Sequence, residues 1–186
     1  MTGSYRIAGV GGQGVITLAK AISNILMDEN LDPAMSEIHG LSQRGGSVVS
    51  DIKFSGAKSP ILTENEAEVL VALNSSEAFA NIYILKENGI CLGNCRNKNH
   101  EDVVEDSMDG KKVYWVDCQS IGGDDSRASA NMVLLGFISA MDRNIPFDYA
   151  AKYVADSFGT KYQERNLSLL KKGYEAGCGV FADQIN

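Results

Sequence analysis

The sequence predicts an α/β fold: an open, mostly parallel sheet with a helical C-terminal third. Three observations lead there. Residues 5–10 are a short apolar stretch that ends in glycine and runs into Val15–Leu26, where Val15, Leu18, Ala19, Ile22, Ile25 and Leu26 recur at helical spacing. Residues 67–73, AEVLVAL, form a continuous apolar run of the kind that fills central parallel strands. From Ala128 onward the pattern is helical: mostly apolar over 128–141, amphipathic over 147–158 and 162–176.

The elements between follow in order. DPAMSEI, residues 32–38, reads as a second strand. A polar, glycine-bearing loop precedes a third strand, Ser47–Phe54, with Val48, Ile52 and Phe54 on one face. No helix separates these two strands, so a plain β-α-β repeat is broken here. GAKSP is turn-rich. Asn74, Ser75 and Ser76 offer N-caps to a helix over 77–86. GICLGN reads as a brief strand and VYWVDC as another buried one. Residues 96–112, polar and charged and holding His100, read as an exposed excursion. There is no internal repeat. A chain of 186 residues reads as one domain, with its helical part at about 145–186.

Bulk charge excludes some functions. Hydrophobic residues at 44% and charged residues at 22% are ordinary for a globular protein. The net charge of -7 argues against non-specific nucleic-acid binding and against docking on an anionic membrane. No apolar run reaches membrane-spanning length and no signal peptide precedes the first strand, so the expected location is cytoplasmic. The cysteines Cys91, Cys95, Cys118 and Cys178 include no C-x-x-C pair and have no histidine at zinc-ligand spacing. Scattered, reduced thiols are expected, with no metal or iron–sulfur site.

Gly9, Gly11 and Gly14 fit G-x-G-x-x-G between a strand and a helix, a Rossmann-like start. Such a turn lets backbone approach a phosphate at a helix N-terminus. Glu37 lies at the distance where a dinucleotide site places its ribose-binding acid. Against this, Gly12 and Gln13 put a long amide where dinucleotide turns need none, and Glu37 leads into a loop rather than a crossover helix. Four readings stay open: a dinucleotide turn, a packing turn, a turn for another phosphate ligand, and a turn that meets a partner protein.

The densest polar stretch is SEIHGLSQRGGSV, residues 36–48. Ser36, Glu37, His39, Ser42, Gln43 and Arg44 crowd beside Gly40, Gly45 and Gly46. Glu37 and His39 suit an acid/base pair or two backbone-bonding loop residues. Arg44 suits a phosphate or carboxylate, or a salt bridge at a subunit contact. Asn131 stands on an otherwise apolar helix, either as a helix-start hydrogen bond or as a polar contact across an interface.

GVGGQG, SEIHGLSQRGGSV, Ser59-Pro60, AEVLVAL and NMVLLG together resemble the gamma subunit of 2-oxoacid:ferredoxin oxidoreductases, most of all the small subunit of the indolepyruvate branch. The likeness runs over almost the whole chain. It implies a role in oxidative decarboxylation of a 2-oxo acid such as indolepyruvate or pyruvate to an acyl-coenzyme A. In that family, thiamine diphosphate with magnesium, and the iron–sulfur clusters that feed ferredoxin, belong to other subunits or domains. This sequence has neither a ferredoxin-type cysteine run nor a GDG…N stretch, so alone it is expected to be inactive and to bind none of those cofactors. The resemblance marks Gly9, Gly11, Gly12, Gln13, Gly14, Ser36, Glu37, His39, Gly40, Ser42, Gln43, Arg44, Gly45, Gly46 and Asn131 as interface- or ligand-proximal, with none assigned as catalytic. Its partners are thiamine-binding and cluster-binding subunits and, through the holoenzyme, ferredoxin. The rival readings are a stand-alone NAD(P)-binding oxidoreductase and a small phosphate-ligand module.

Overall fold

A computed structural model describes residues 3–39, 46–56, 59–96, 101–123 and 130–182. Seven strands form a single sheet: β1 (Gly3–Val10), β2 (Ala34–His39), β3 (Ser47–Phe54), β4 (Ala67–Ala72), β5 (Leu85–Asn94), β6 (Val103–Met108) and β7 (Lys111–Val116). Their order is β2-β3-β1-β4-β5-β7-β6. The ladders β1/β4, β4/β5 and β5/β7 are parallel, while β2/β3, β1/β3 and β6/β7 are antiparallel. Only β3 and β6 run against the other strands, so the open, mostly parallel sheet is as expected. The helices are α1 (Val15–Asp28), α2 (Ser75–Asn81), α3 (Cys118–Gly122), α4 (Ala130–Met141), α5 (Phe147–Ser157) and α6 (Thr160–Phe181).

β3 lies between β1 and β2. It follows β2 without a helix, pairs with it antiparallel, and takes the place beside β1 that a simple crossover would give to β2. The join is locked by charge. Arg6 on β1 faces Asp51 on β3 in register, donating from Nε to Oδ1 at 2.7 Å and from Nη2 to Oδ2 at 2.8 Å. The Leu62 N–H donates to the same Oδ2 at 3.0 Å, and Asp51 is fully buried. A buried pair of this kind is tolerated because the carboxylate has several donors at once.

Alternation along the strands feeds two cores. Tyr5, Ile7, Ile52, Val71, Leu92 and Tyr114 face α1, α4, α5 and α6. Ala8, Leu70, Ala72, Cys91 and Val113 face α2 and the chain around Leu62. Helix α4 is buried from Asn131 to Ser139, which accounts for its apolar character all round. Against it α6 approaches to backbone contact: a Cβ on Gly136 would lie 2.0 Å from the Leu170 carbonyl oxygen, and one on Gly173 2.0 Å from that of Val133. Phe181, at the end of α6, closes edge-on against Tyr114 and Phe137.

Three expectations need correction. The excursion over 96–112 contains β6 and the start of β7, an antiparallel hairpin at the sheet edge. Its alternation is hidden because only Val103, Val104 and Met108 are apolar; pairing with β7 supplies what the pattern lacks. The helix expected over 77–86 ends at Asn81, continues as a single 3₁₀ turn over Ile82–Ile84, and gives way to β5 at Leu85. The brief strand GICLGN is therefore the second half of a longer one. Among the described residues no helix is long and apolar enough to cross a membrane.

Because the α4–α6 contact is backbone on backbone, no side-chain rotation relieves an added methyl. Gly136→Ala is expected to destabilise the fold by at least about 2 kcal/mol, read as a lowered urea midpoint with far-UV circular dichroism retained in the absence of urea.

Candidate functional site

The carboxyl ends of the parallel strands open on a cleft of about 470 Å³. It is lined by Gly12 and Gln13 after β1, Leu73–Ser75 after β4, Asn94–Arg96 after β5, Asp117–Gln119 after β7, and Ala130 at the start of α4. Ligands of open α/β sheets bind at this edge.

The first glycine turn is held shut by its own amide. Gln13 Oε1 accepts from the Val10 N–H at 2.7 Å and from Asn74 Nδ2 at 2.8 Å. Asn74 in turn caps α2, its Oδ1 accepting from the Glu77 N–H at 3.0 Å. Gln13 thus ties the end of β1 to the end of β4, with its Nε2 donors left without a partner among the described residues. On the far wall, Asn94 donates to the Leu73 carbonyl at 3.1 Å and accepts from the Cys118 N–H at 3.4 Å. Asp117 accepts from the Gln119 and Ser120 N–H groups at 3.1 and 3.0 Å. Carboxamides committed to backbone hold their orientation, so the wall is preorganised and polar, with Arg96 as its cation.

Of the residues marked from sequence, the structure gathers several. Gly9 sits where a Cβ would lie 2.7 Å from Val15 Cγ2 and 3.1 Å from Leu73, a close approach of strand and helix. Gly12 and Gln13 line the cleft. Gly11 N–H donates to the Gly46 carbonyl at 3.2 Å, so the root of the second motif touches the first turn. Gly14 has φ +88°, and a Cβ there would fall 2.5 Å from Asn131 Nδ2. Asn131 therefore packs against the start of α1, 7% exposed, and its Oδ1 accepts from the Met132 N–H at 3.0 Å. Ser36 and Glu37 lie on β2 at the sheet margin. The side chain of His39, and Gly40, Ser42, Gln43, Arg44 and Gly45, fall outside the described residues, as does His100.

The dinucleotide reading of Glu37 does not survive the topology. With β3 inserted, β2 stands two strand spacings from β1, roughly 10 Å, which takes Glu37 away from the glycine turn. Sequence reasoning also missed most of the cleft: Asn94, Arg96, Asp117 and Gln119 were not singled out, and Asn74 and Ser75 were read only as caps. A signal existed, since Asn74 directly follows the apolar run 67–73, Asn94 ends β5 and Asp117 directly follows β7.

Two of the thiols are chemically quiet. Burial pushes Cys91 up to about 12, and burial together with the charge of Asp117 raises Cys118 well above the usual thiol range. Cys95 and Cys178 are half-buried. Titration with a disulfide reagent at neutral pH is expected to modify Cys95 and Cys178 in the folded chain, and Cys91 and Cys118 only after unfolding. At the first turn, Gly14→Ala combines a left-handed backbone, costing about 1–2 kcal/mol, with the clash against Asn131. Adding Asn131→Ala should relieve the clash and leave the backbone cost, so the double variant unfolds at a urea concentration between Gly14→Ala and wild type.

Comparison with known proteins agrees with the fold. The sequence profile described as pyruvate ferredoxin/flavodoxin oxidoreductase matches residues 4–176. The indolepyruvate oxidoreductase subunit IorB of Thermococcus kodakarensis is 35% identical over 200 residues, covering 96% of each chain. Among solved structures, the gamma subunit of a keto/oxoacid ferredoxin oxidoreductase from Geobacter sulfurreducens superposes with a TM-score of 0.77 at 19% identity, over 95% of this chain and 99% of that one. The 2-oxoglutarate:ferredoxin oxidoreductase of Magnetococcus marinus, solved with 2-oxoglutarate, coenzyme A and succinyl-CoA bound, superposes with a TM-score of 0.80 at 20% identity. There the match covers 96% of this chain and 31% of the other. The two superpositions share the fold over nearly the whole chain, and the profile match over residues 4–176 settles descent: this chain belongs to the pyruvate ferredoxin/flavodoxin oxidoreductase family.

Proposed function

We propose that this chain is the small, gamma-type subunit of a cytoplasmic 2-oxoacid:ferredoxin oxidoreductase, acting as one unit over its length, with indolepyruvate the first substrate to test. The observation that carries this reading is the end-to-end likeness to an indolepyruvate oxidoreductase subunit of matching length. The companion chains bring thiamine diphosphate, magnesium and iron–sulfur clusters, which supply carbanion and electron-transfer chemistry when bound there. The work left to this chain is to complete the assembly and to wall one side of the coenzyme A site.

The cleft fits that second task. Coenzyme A offers phosphates, amide carbonyls and a nucleobase edge, all readable by fixed hydrogen-bond donors. Arg96, Gln13 Nε2 and the Gln119 amide supply such donors on three strand ends around one opening. Arg96 would hold a phosphate, and the amides the pantetheine arm or the base. No group in the cleft has to act as acid, base or nucleophile, in keeping with a positioning role. Gly46, at the end of the second glycine-bearing loop, bonds to Gly11 of the first turn, next in sequence to the cleft-lining Gly12.

Co-expression with the thiamine-binding chain is expected to give a stable complex that reduces ferredoxin when supplied with indolepyruvate and coenzyme A. The isolated chain is expected to show no turnover, and turnover by it alone would sink the proposal. Within the complex, Arg96→Ala should raise the KM for coenzyme A about tenfold, as loss of a charge-assisted hydrogen bond does, while the KM for the 2-oxo acid stays put.

A further inference from the structure

The helices are divided unequally between the faces of the sheet. α1, α4, α5 and α6 bury one face, while α2, its 3₁₀ turn and the chain around Leu62 cover the other. α2 packs on β1, β4 and β5, and β7 and β6 lie further out in the strand order. On this thinly covered side large apolar groups reach the surface: Phe79 is 62% exposed, Ile61 55% and Tyr83 48%. Phe79 and Tyr83 are four residues apart along α2 and its 3₁₀ turn: Tyr83 reaches over β1, its hydroxyl accepting from Arg6 Nη1 at 3.5 Å, and Phe79 makes a ridge toward β7.

Beside this ridge stands an aromatic fixed on three sides. The Trp115 ring lies across Gly93, where a Cβ would come within 2.4 Å of its Cζ3. Its Nε1–H donates to Asp106 Oδ2 at 3.3 Å, and Phe79 meets the ring at a centroid distance of 6.0 Å, tilted by 39°. Rigid, half-buried tryptophan next to exposed phenylalanine and tyrosine is the composition of an interface anchor. The adjoining edge is acidic. Residues 101–112 hold five acids, Glu101, Asp102, Glu105, Asp106 and Asp109, against two lysines, Lys111 and Lys112. Lys112 is spent on Glu105 at 3.2 Å.

We infer that Trp115, Phe79 and Tyr83, with the acidic β6 edge beside them, form the docking surface for the companion subunit, and that the companion meets it with an apolar insert flanked by lysine or arginine. The inference rests on the subunit reading above and names the face and the chemistry of its occupant. Charge decides the occupant. A second copy would bring one acidic edge against another in a molecule of net charge -7, and like charges set against each other at an interface cost binding energy. A basic rim reverses that sign and also matches the carboxylates as they lose water.

Two variants of the full chain test this in titrations against the purified companion. Phe79→Asp, at an exposed position, is expected to keep its circular dichroism and to weaken binding at least tenfold. Asp106→Asn keeps an acceptor for the Trp115 indole and removes one charge; it should weaken binding several-fold and flatten the dependence of the dissociation constant on salt. Unchanged binding by Phe79→Asp, with wild type binding normally, overturns the face alone. Wild type failing to bind the companion overturns the subunit reading and this inference together. A homodimer of the isolated chain that Phe79→Asp dissolves in sedimentation overturns the companion as occupant.

Discussion

The pairing of Arg6 with Asp51 is the join on which the arrangement depends. It clamps β3 against β1 inside the sheet, where neither charge can find water. With β3 held there, β2 moves to the margin and carries Glu37 with it. The same clamp runs the start of β3 back toward the glycine turn, so that Gly46 meets Gly11. One ion pair thus goes with a strand order that takes Glu37 away from the glycine turn and with the contact between Gly46 and Gly11 at one end of the sheet. Desolvated ion pairs contribute little net stability, and their better-attested use is to fix which of several packings forms.

That end of the sheet is built from amides that serve the backbone first. Gln13, Asn74 and Asn94 each bridge two strand ends or cap a helix while lining the opening. A wall of this kind presents its polar groups at fixed positions, with the half-buried thiol of Cys95 among them. The relatives of this chain are named as subunits of oxidoreductases.

Much of this was legible in the residues, and the gaps have physical causes. The glycine turn, the α1 periodicity and the apolar run of β4 are local signals, and local signals carry their own structure. β6 is different: Glu105, Asp106 and Ser107 interrupt its apolar pattern, as suits a solvent-facing edge, and only β7 makes it a strand. The 77–86 segment reads as one helix on the N-caps that precede it, yet the β-branched Ile82 and Ile84 and the pull of the β4 ladder end it early. The cleft was the hardest to see. Asn74, Asn94 and Asp117 are each ordinary where they stand, and only the strand order sets them around one opening.

The close of the chain has a consequence for the timing of assembly. Phe181 seats on Tyr114 and Phe137, and Gly173 seats on Val133, so the last turns of α6 finish a core that opens at β1. In chain order α1 comes early and α4, α5 and α6 come after every strand, so during synthesis the helical side of the sheet is only partly covered until those three helices follow. Through that interval Tyr114 and the neighbouring strand residues expose apolar surface, the condition under which a nascent chain associates wrongly.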